Sequence, residues 1–170
     1  KKVILYLFST SWGEALTIIV ALLLGFPLPL LPAQIIWLNF ITDGFLDVAL
    51  AMEPKEDELL RGNFERPKKY LVDKLMVQRM FIMAIPMMIG TLYLFKGYFG
   101  IDLTKAWTIS LTTLAVFQWF NAWNCRHESK SIFQMNPFSN KFLIGATTVV
   151  ILLQLFATYN PFMQKFLHTT

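Results

Sequence analysis

Residues 37–50 read WLNFITDGFLDVAL, and the reading of this stretch decides what kind of protein the chain is. It is apolar enough to cross a bilayer, yet it carries two aspartates, Asp43 and Asp47, with no lysine or arginine beside them. A carboxylate left unpaired in hydrocarbon costs several kcal/mol. A positive partner is therefore required, either from the chain or from something the chain binds.

The rest of the sequence supports a bilayer setting. Of 170 residues, 55 % are hydrophobic, 15 % aromatic and only 15 % charged, which is too apolar for an ordinary soluble domain. The class expected is an all-α, polytopic transmembrane helix bundle. A single cysteine, Cys125, excludes an internal disulfide framework, and the two histidines, His127 and His168, form no zinc-like spacing with it. The net charge of +4 is not arranged as a basic stripe interleaved with stacking aromatics, so no nucleic-acid partner is expected. The basic, apolar start KKVILYLF differs from a signal peptide in having a polar SxxE patch within the apolar run and no small-residue cleavage site. Because that run is already a span, the chain is expected to be a piece of a longer protein.

Five runs have the length of a bilayer crossing, about 20 residues: residues 3–24, 33–52, 75–95, 106–123 and 142–159. The link GFPLPLLP (25–32) has three prolines and no charge, as suits a tight hairpin at a membrane surface. The charged loops 53–74 and 124–141 belong in water. Counting by alternate sides, Lys1, Lys2, Lys55, Arg61, Arg66, Lys68, Lys69, Lys74, Arg79, Arg126, Lys130 and Lys141 fall on one side, against Lys96, Lys105 and Lys165 on the other. Twelve against three is a strong positive-inside bias. The expected protein is multi-pass in the lipid bilayer, with the N-terminus and both charged loops cytoplasmic.

Helical rise places the polar residues in depth. Glu14 lies eleven residues before Gly25 and Asp43 eleven after Pro32, so both sit about 16 Å from the turn at 1.5 Å per residue. Ser11 and Glu14 share a face of the first span, and Asn39, Thr42 and Asp43 one sector of the second. Gln118 reaches a similar depth on the fourth span. Asp47, one turn beyond Asp43, lines the cytoplasmic approach or a second position. These carboxylate, amide and hydroxyl oxygens are the ligand set of a hard cation, with no sulfur or imidazole for zinc or copper. A bound cation or protons would supply the missing charge. Gly44 is expected to let the helix open and offer backbone carbonyls. Lone Ser, Thr, Asn or Gln residues in membranes commonly act as interhelical glue, and the methionines of 76–90 sit at packing spacing. Pro86 reads as a kink, and Trp107, Trp119 and Trp123 as interfacial belt residues.

The segments STSWGEA (9–15), PLPLLPAQIIWLNFITDGF (27–45), ALAMEP (49–54) and FNAWNCRHESKSIF (120–133) together resemble the C-terminal transmembrane part of P-type cation-transporting ATPases, closest to the calcium-pump branch. The likeness covers nearly the whole chain, 1–170, and its most specific element is the glutamine, asparagine and TDG pattern at 34–44. The resemblance implies that Ser11, Glu14, Asn39, Thr42, Asp43 and Gln118 hold the transported cation, with Ca2+ foremost and Mg2+, Mn2+ or a monovalent ion as alternatives. It implies that ATP and its Mg2+ act only in cytoplasmic domains outside these residues, so this chain alone hydrolyses nothing and has no catalytic residue. Its partners would be the remaining helices and cytoplasmic domains of the pump, with 53–69 lying against the phosphorylation domain. Ser11 stands where calcium pumps carry asparagine and Gln118 where they carry an acid, which points to one transported ion rather than two. Asp47 departs from the family pattern and adds a charge on the cytoplasmic side. A passive cation channel or secondary transporter subunit with the same acidic midplane is the other class the residues allow.

Overall fold

The computed structural model describes residues 1–53, 72, 74–127 and 136–170, and in these it is built of helices alone. Most of the two charged loops, including the acidic run 56–58, lies outside the described residues. The first helix, α1, spans Lys2–Leu23. It stops where the sequence changes from aliphatic to GFPLPLLP: Gly25 takes φ 72°, the left-handed conformation that glycine adopts without a Cβ penalty. The Phe26 N–H donates to Ala21 O at 2.9 Å and the Gly25 N–H to Leu22 O at 3.0 Å, which ties off two of the last carbonyls.

The chain returns through α2 (Pro32–Trp37), a π-helical segment (Leu38–Asp43) and α3 (Gly44–Ala51). Proline at the first helical position suits a helix start. Gly44 itself is regular helix, with φ −57° and ψ −46°. The irregularity thus precedes the glycine instead of sitting on it, and it carries Asn39, Thr42 and Asp43 on a widened turn.

Next come α4 (Lys74–Tyr98), α5 (Leu103–Asn124), α6 (Lys141–Tyr159) and a short α7 (Pro161–Leu167). Side-chain caps start three of them. Asp102 accepts from the Lys105 N–H at 3.1 Å, Asn140 from the Leu143 N–H at 2.9 Å, and Asn160 from the Phe162 N–H at 3.0 Å. Pro86 lies inside α4.

Among the described residues four stretches, Lys2–Leu23, Pro32–Ala51, Lys74–Tyr98 and Lys141–Tyr159, are long and apolar enough to cross a membrane. At 22 residues α5 is long enough. It is less apolar because it spends positions on Thr108, Ser110, Gln118 and Asn121, all buried against neighbouring helices. Contacts at the two ends show that successive helices alternate in direction. At the Gly25 end the Trp107 N–H donates to Leu28 O at 2.8 Å and the Gln34 amide to Leu167 O at 2.9 Å. At the opposite end Arg79 reaches His127 O at 3.1 Å.

The helices approach closely where glycine permits it. A Cβ on Gly13 would fall 2.9 Å from Met87 Sδ, and one on Gly90 would fall 2.8 Å from Phe117 Cε2, the small-residue contacts that let membrane helices pack by van der Waals attraction. Apolar side chains such as Leu23, Ile36, Phe40, Val48, Ile82, Phe120 and Leu152 point outward, far more apolar surface than a soluble domain leaves bare. Two buried apolar clusters divide the interior. One gathers Leu5, Tyr6, Leu46, Leu50, Met80 and Ala122, and the other Leu30, Leu38, Met87, Leu111, Leu114 and Leu167. On the second crossing residues 39–45 fall between them, and on α5 residues 116–121 do.

Candidate cation site

The polar groups occupy that gap. Glu14 is 5 % exposed, Asp43 1 % and Gln118 fully buried. Gln118 Nε2 donates to Glu14 Oε1 at 2.6 Å, and Asn39 Nδ2 donates to Glu14 Oε2 at 3.1 Å. Three elements, α1, the π-segment and α5, therefore meet on one carboxylate. The acid on the π-segment is held from α1 instead. Tyr6 Oη donates to Asp43 Oδ1 at 2.7 Å and Thr10 Oγ1 to Asp43 Oδ2 at 3.1 Å.

Each carboxylate oxygen so far named accepts one hydrogen bond, and every donor is a neutral amide or hydroxyl. Glu14 and Asp43 lie close enough to feel each other's charge. Glu53 pairs with Arg126 at the far end of α3. Buried carboxylates are ordinarily paired with a cation or a metal; among the described residues these two have only dipoles aimed at them. A carboxylate oxygen has about two lone-pair sites, so each still has room for a further, positively charged neighbour.

The other residues singled out in the sequence take different places. Thr42 is buried beside Asp43 on the π-segment, while Asn39 is exposed at the edge of the cluster. Asp47 is half-buried, its Oδ1 is enclosed without a hydrogen-bond partner, and it lies within reach of the Asp43 charge. Gln118 Oε1 is likewise buried and without a donor. Ser11 is exposed and no bond joins it to the cluster. The tyrosine and threonine that hold Asp43 are not among the residues the apolar-run argument points to. Tyr6, Thr10 and Glu14 recur every four residues, a stripe of polar groups along one face of α1 that the spacing itself discloses.

Among the described residues no three His, Cys, Asp or Glu side chains gather as a metal cluster. The oxygens on offer are two carboxylates, two amides and hydroxyls, a set suited to a hard cation. On the far side of Asn39 a groove of about 760 Å³ opens between α3 and α6, lined by Phe45, Val48, Phe142 and Val149 and ending near Lys141. Of the cluster only Asn39 borders that groove, while Glu14, Asp43 and Gln118 are enclosed by α1, α5 and the π-segment.

Residues 27–170 match the family described as cation transporting ATPase, C-terminus. The chain is 35 % identical to a calcium-transporting ATPase of Bacillus subtilis over 99 % of its own length and 19 % of that protein's. It is 32 % identical to calcium-transporting ATPase 1 of Saccharomyces cerevisiae over 95 % of the chain and 18 % of the relative. With calcium-transporting ATPase type 2C member 1 of Mus musculus the identity is 30 %, over 99 % of the chain and 19 % of the relative. The chain spans about a fifth of the length of the curated relatives it matches.

Proposed function

We propose, from the premise that this chain belongs to the C-terminal family of cation-transporting P-type ATPases, that it carries the oxygen ligands of an ATP-driven calcium pump. Glu14 and Asp43 supply the charge, Asn39 and Gln118 the amides, and Thr42 a hydroxyl. One observation carries this reading: two buried carboxylates from different elements are each held by two neutral donors, with no basic side chain among the described residues bonded to either. The deficit of positive charge is met by the transported ion. Ca2+ fits the hard oxygen set and the calcium-transporting relatives; Mn2+, Mg2+ and monovalent ions are the competitors to be tested.

In this reading five helices cross the bilayer, with the N-terminus and the loops 53–74 and 124–141 in the cytoplasm. The remaining helices of the pump close the Asn39 side of the cluster, and its cytoplasmic domains bind ATP with Mg2+ and perform the hydrolysis. Asp47 stands on the cytoplasmic approach as an additional acid. Ser11, exposed and outside the cluster, leaves one ion rather than two as the transported stoichiometry, which counting bound Ca2+ per intact pump decides.

The deciding experiment replaces Asp43 by Asn in the complete pump and follows Ca2+-dependent ATP hydrolysis. Removing the charge while keeping the shape should lower Ca2+ affinity by more than the roughly 10–100-fold that loss of an outer partner costs. Unchanged Ca2+ dependence would mean that the acids are structural, and the reading would fall.

A further inference from the structure

Beyond the cluster, the strongest unexplained feature is a buried arginine. Arg126 lies two residues past the end of α5 and is 2 % exposed. Its Nη2 donates to Glu53 Oε1 at 2.9 Å, and its Nε lies 3.1 Å from both Glu53 oxygens. Glu53 follows α3 by two residues, at the end of the same crossing whose π-segment carries Asp43. The guanidinium also donates to Ser139 Oγ and to Asn136 O, just before α6, and sits 5.2 Å over the Trp123 ring. Asn140 closes the arrangement. It is 1 % exposed, it donates to Glu53 Oε2 at 2.6 Å and to Ala49 O at 3.1 Å, and its own Oδ1 caps α6.

One planar fork therefore ties together the ends of α3, α5 and α6. A buried ion pair is weak evidence for stability, because desolvation consumes much of its attraction; its best-attested use is to fix one arrangement among several. Here the arrangement fixed is the axial register of α3 against α5. Those helices continue into Asp43 and Gln118, ten residues before Glu53 and eight before Arg126. A guanidinium fork holds a carboxylate in two directions at once, which a lysine ammonium does not.

We propose that Arg126 is a positioning residue for cation binding: with Glu53 and Asn140 it locks the register that brings Asp43 and Asn39 level with Gln118, the side chain that holds Glu14. The proposal rests on the reading that those four residues hold the transported cation. Breaking the lock leaves every ligand in place and blurs their spacing. It should therefore weaken Ca2+ binding while leaving turnover at saturating Ca2+ intact.

The test uses the complete pump in wild-type form and as Arg126→Gln, Glu53→Gln, the double variant, Arg126→Lys and Asn140→Ala. Ca2+ binding is followed by tryptophan fluorescence, which needs no ATP, and ATP turnover is measured separately. Both single Gln variants should raise the Ca2+ concentration at half-saturation roughly 2- to 30-fold, with saturated turnover within about twofold. The double variant should be no worse than either single, and Arg126→Lys should recover part of the loss. If Arg126→Gln does not fold, Arg126→Lys and Asn140→Ala carry the test with smaller shifts of the same sign. Half-saturation unmoved in every folded variant, or single effects that multiply in the double variant, overturns the lock. A wild type that binds Ca2+ without ATP turnover removes the pump reading alone. A wild type with no Ca2+ response removes both.

Discussion

Gln118 Nε2 donates to Glu14 Oε1 at 2.6 Å, while the other end of the same amide, Oε1, is buried without a donor. One side chain thus steadies an acid and holds an acceptor toward the same interior. Replacing it by leucine removes that buried hydrogen bond, worth about 0.5–1.5 kcal/mol, and, in the reading proposed above, a cation ligand as well. Gln118→Leu should lower both the melting temperature of the Ca2+-free pump and its Ca2+ affinity. Gln118→Glu, which adds a charge, should not lower the affinity. Scanning calorimetry with a Ca2+ titration separates the two effects, and an affinity unchanged in Gln118→Leu counts against a ligand role.

Tyr6 orients Asp43 from α1 without exhausting its oxygens. A donor behind a ligating carboxylate fixes its direction, and its loss typically costs 10–100-fold in metal affinity. Tyr6→Phe keeps the ring in the core and removes only the hydroxyl, so Ca2+ half-saturation should rise by about tenfold. Thr10→Val, acting on the other oxygen through a longer bond, should have the smaller effect. Equal affinities for Tyr6→Phe and wild type would remove the tyrosine from the site.

Two glycine contacts should differ in cost. An added methyl at Gly13 meets the end of the flexible Met87 chain, whereas at Gly90 it meets the rigid Phe117 ring. Overpacking costs about 1–3 kcal/mol where neighbours cannot give. Gly90→Ala should therefore lower thermal stability more than Gly13→Ala, and Phe117→Leu should restore it. Thermal unfolding in detergent decides the order.

Gln154 offers a contrast to the acids. Its Oε1 accepts from the Trp37 N–H at 3.1 Å, and its Nε2 donates to Thr112 Oγ1 at 3.3 Å, linking α6 to α2 and α5. Such bonds average about 0.6 kcal/mol in membranes. Gln154→Leu should leave Ca2+ half-saturation within about twofold and change stability by no more than about 1–2 kcal/mol. A larger shift in affinity would place this glutamine in the ion pathway.

How far the sequence disclosed this arrangement can be seen residue by residue. Glu14, Asn39, Asp43 and Gln118 stand out because an acid or amide in an apolar run has to be explained, and equal distances from the turn set them at one depth. The facing of α1 was harder. Thr10 and Ser11 are adjacent, and a single residue turns the helix by about 100°, so choosing Ser11 selected an exposed flank while Thr10 bonds Asp43. Tyr6 was concealed inside KKVILYLF, where an aromatic reads as lipid-facing. Trp119 and Trp123 have the positions of interfacial residues in the sequence, yet both pack against buried clusters and Trp123 donates to Thr147 Oγ1 at 3.0 Å. The π-segment has no signature in its composition. Nor does spacing foretell that Glu53 and Arg126, 73 residues apart, share one buried bond network.

The wide turn at Leu38–Asp43 is equivalent to one surplus residue looped into an otherwise ordinary rod. Removing the outward-pointing Phe40 would let the rod close up with Gln34 and Leu46 still facing their present neighbours. Asn39 and Asp43 would then be a plain turn apart. Scaffold and ligand spacing are thus separable in this stretch, and a descendant that lost a single codon there would keep its architecture while changing how Asn39 and Asp43 stand toward Glu14.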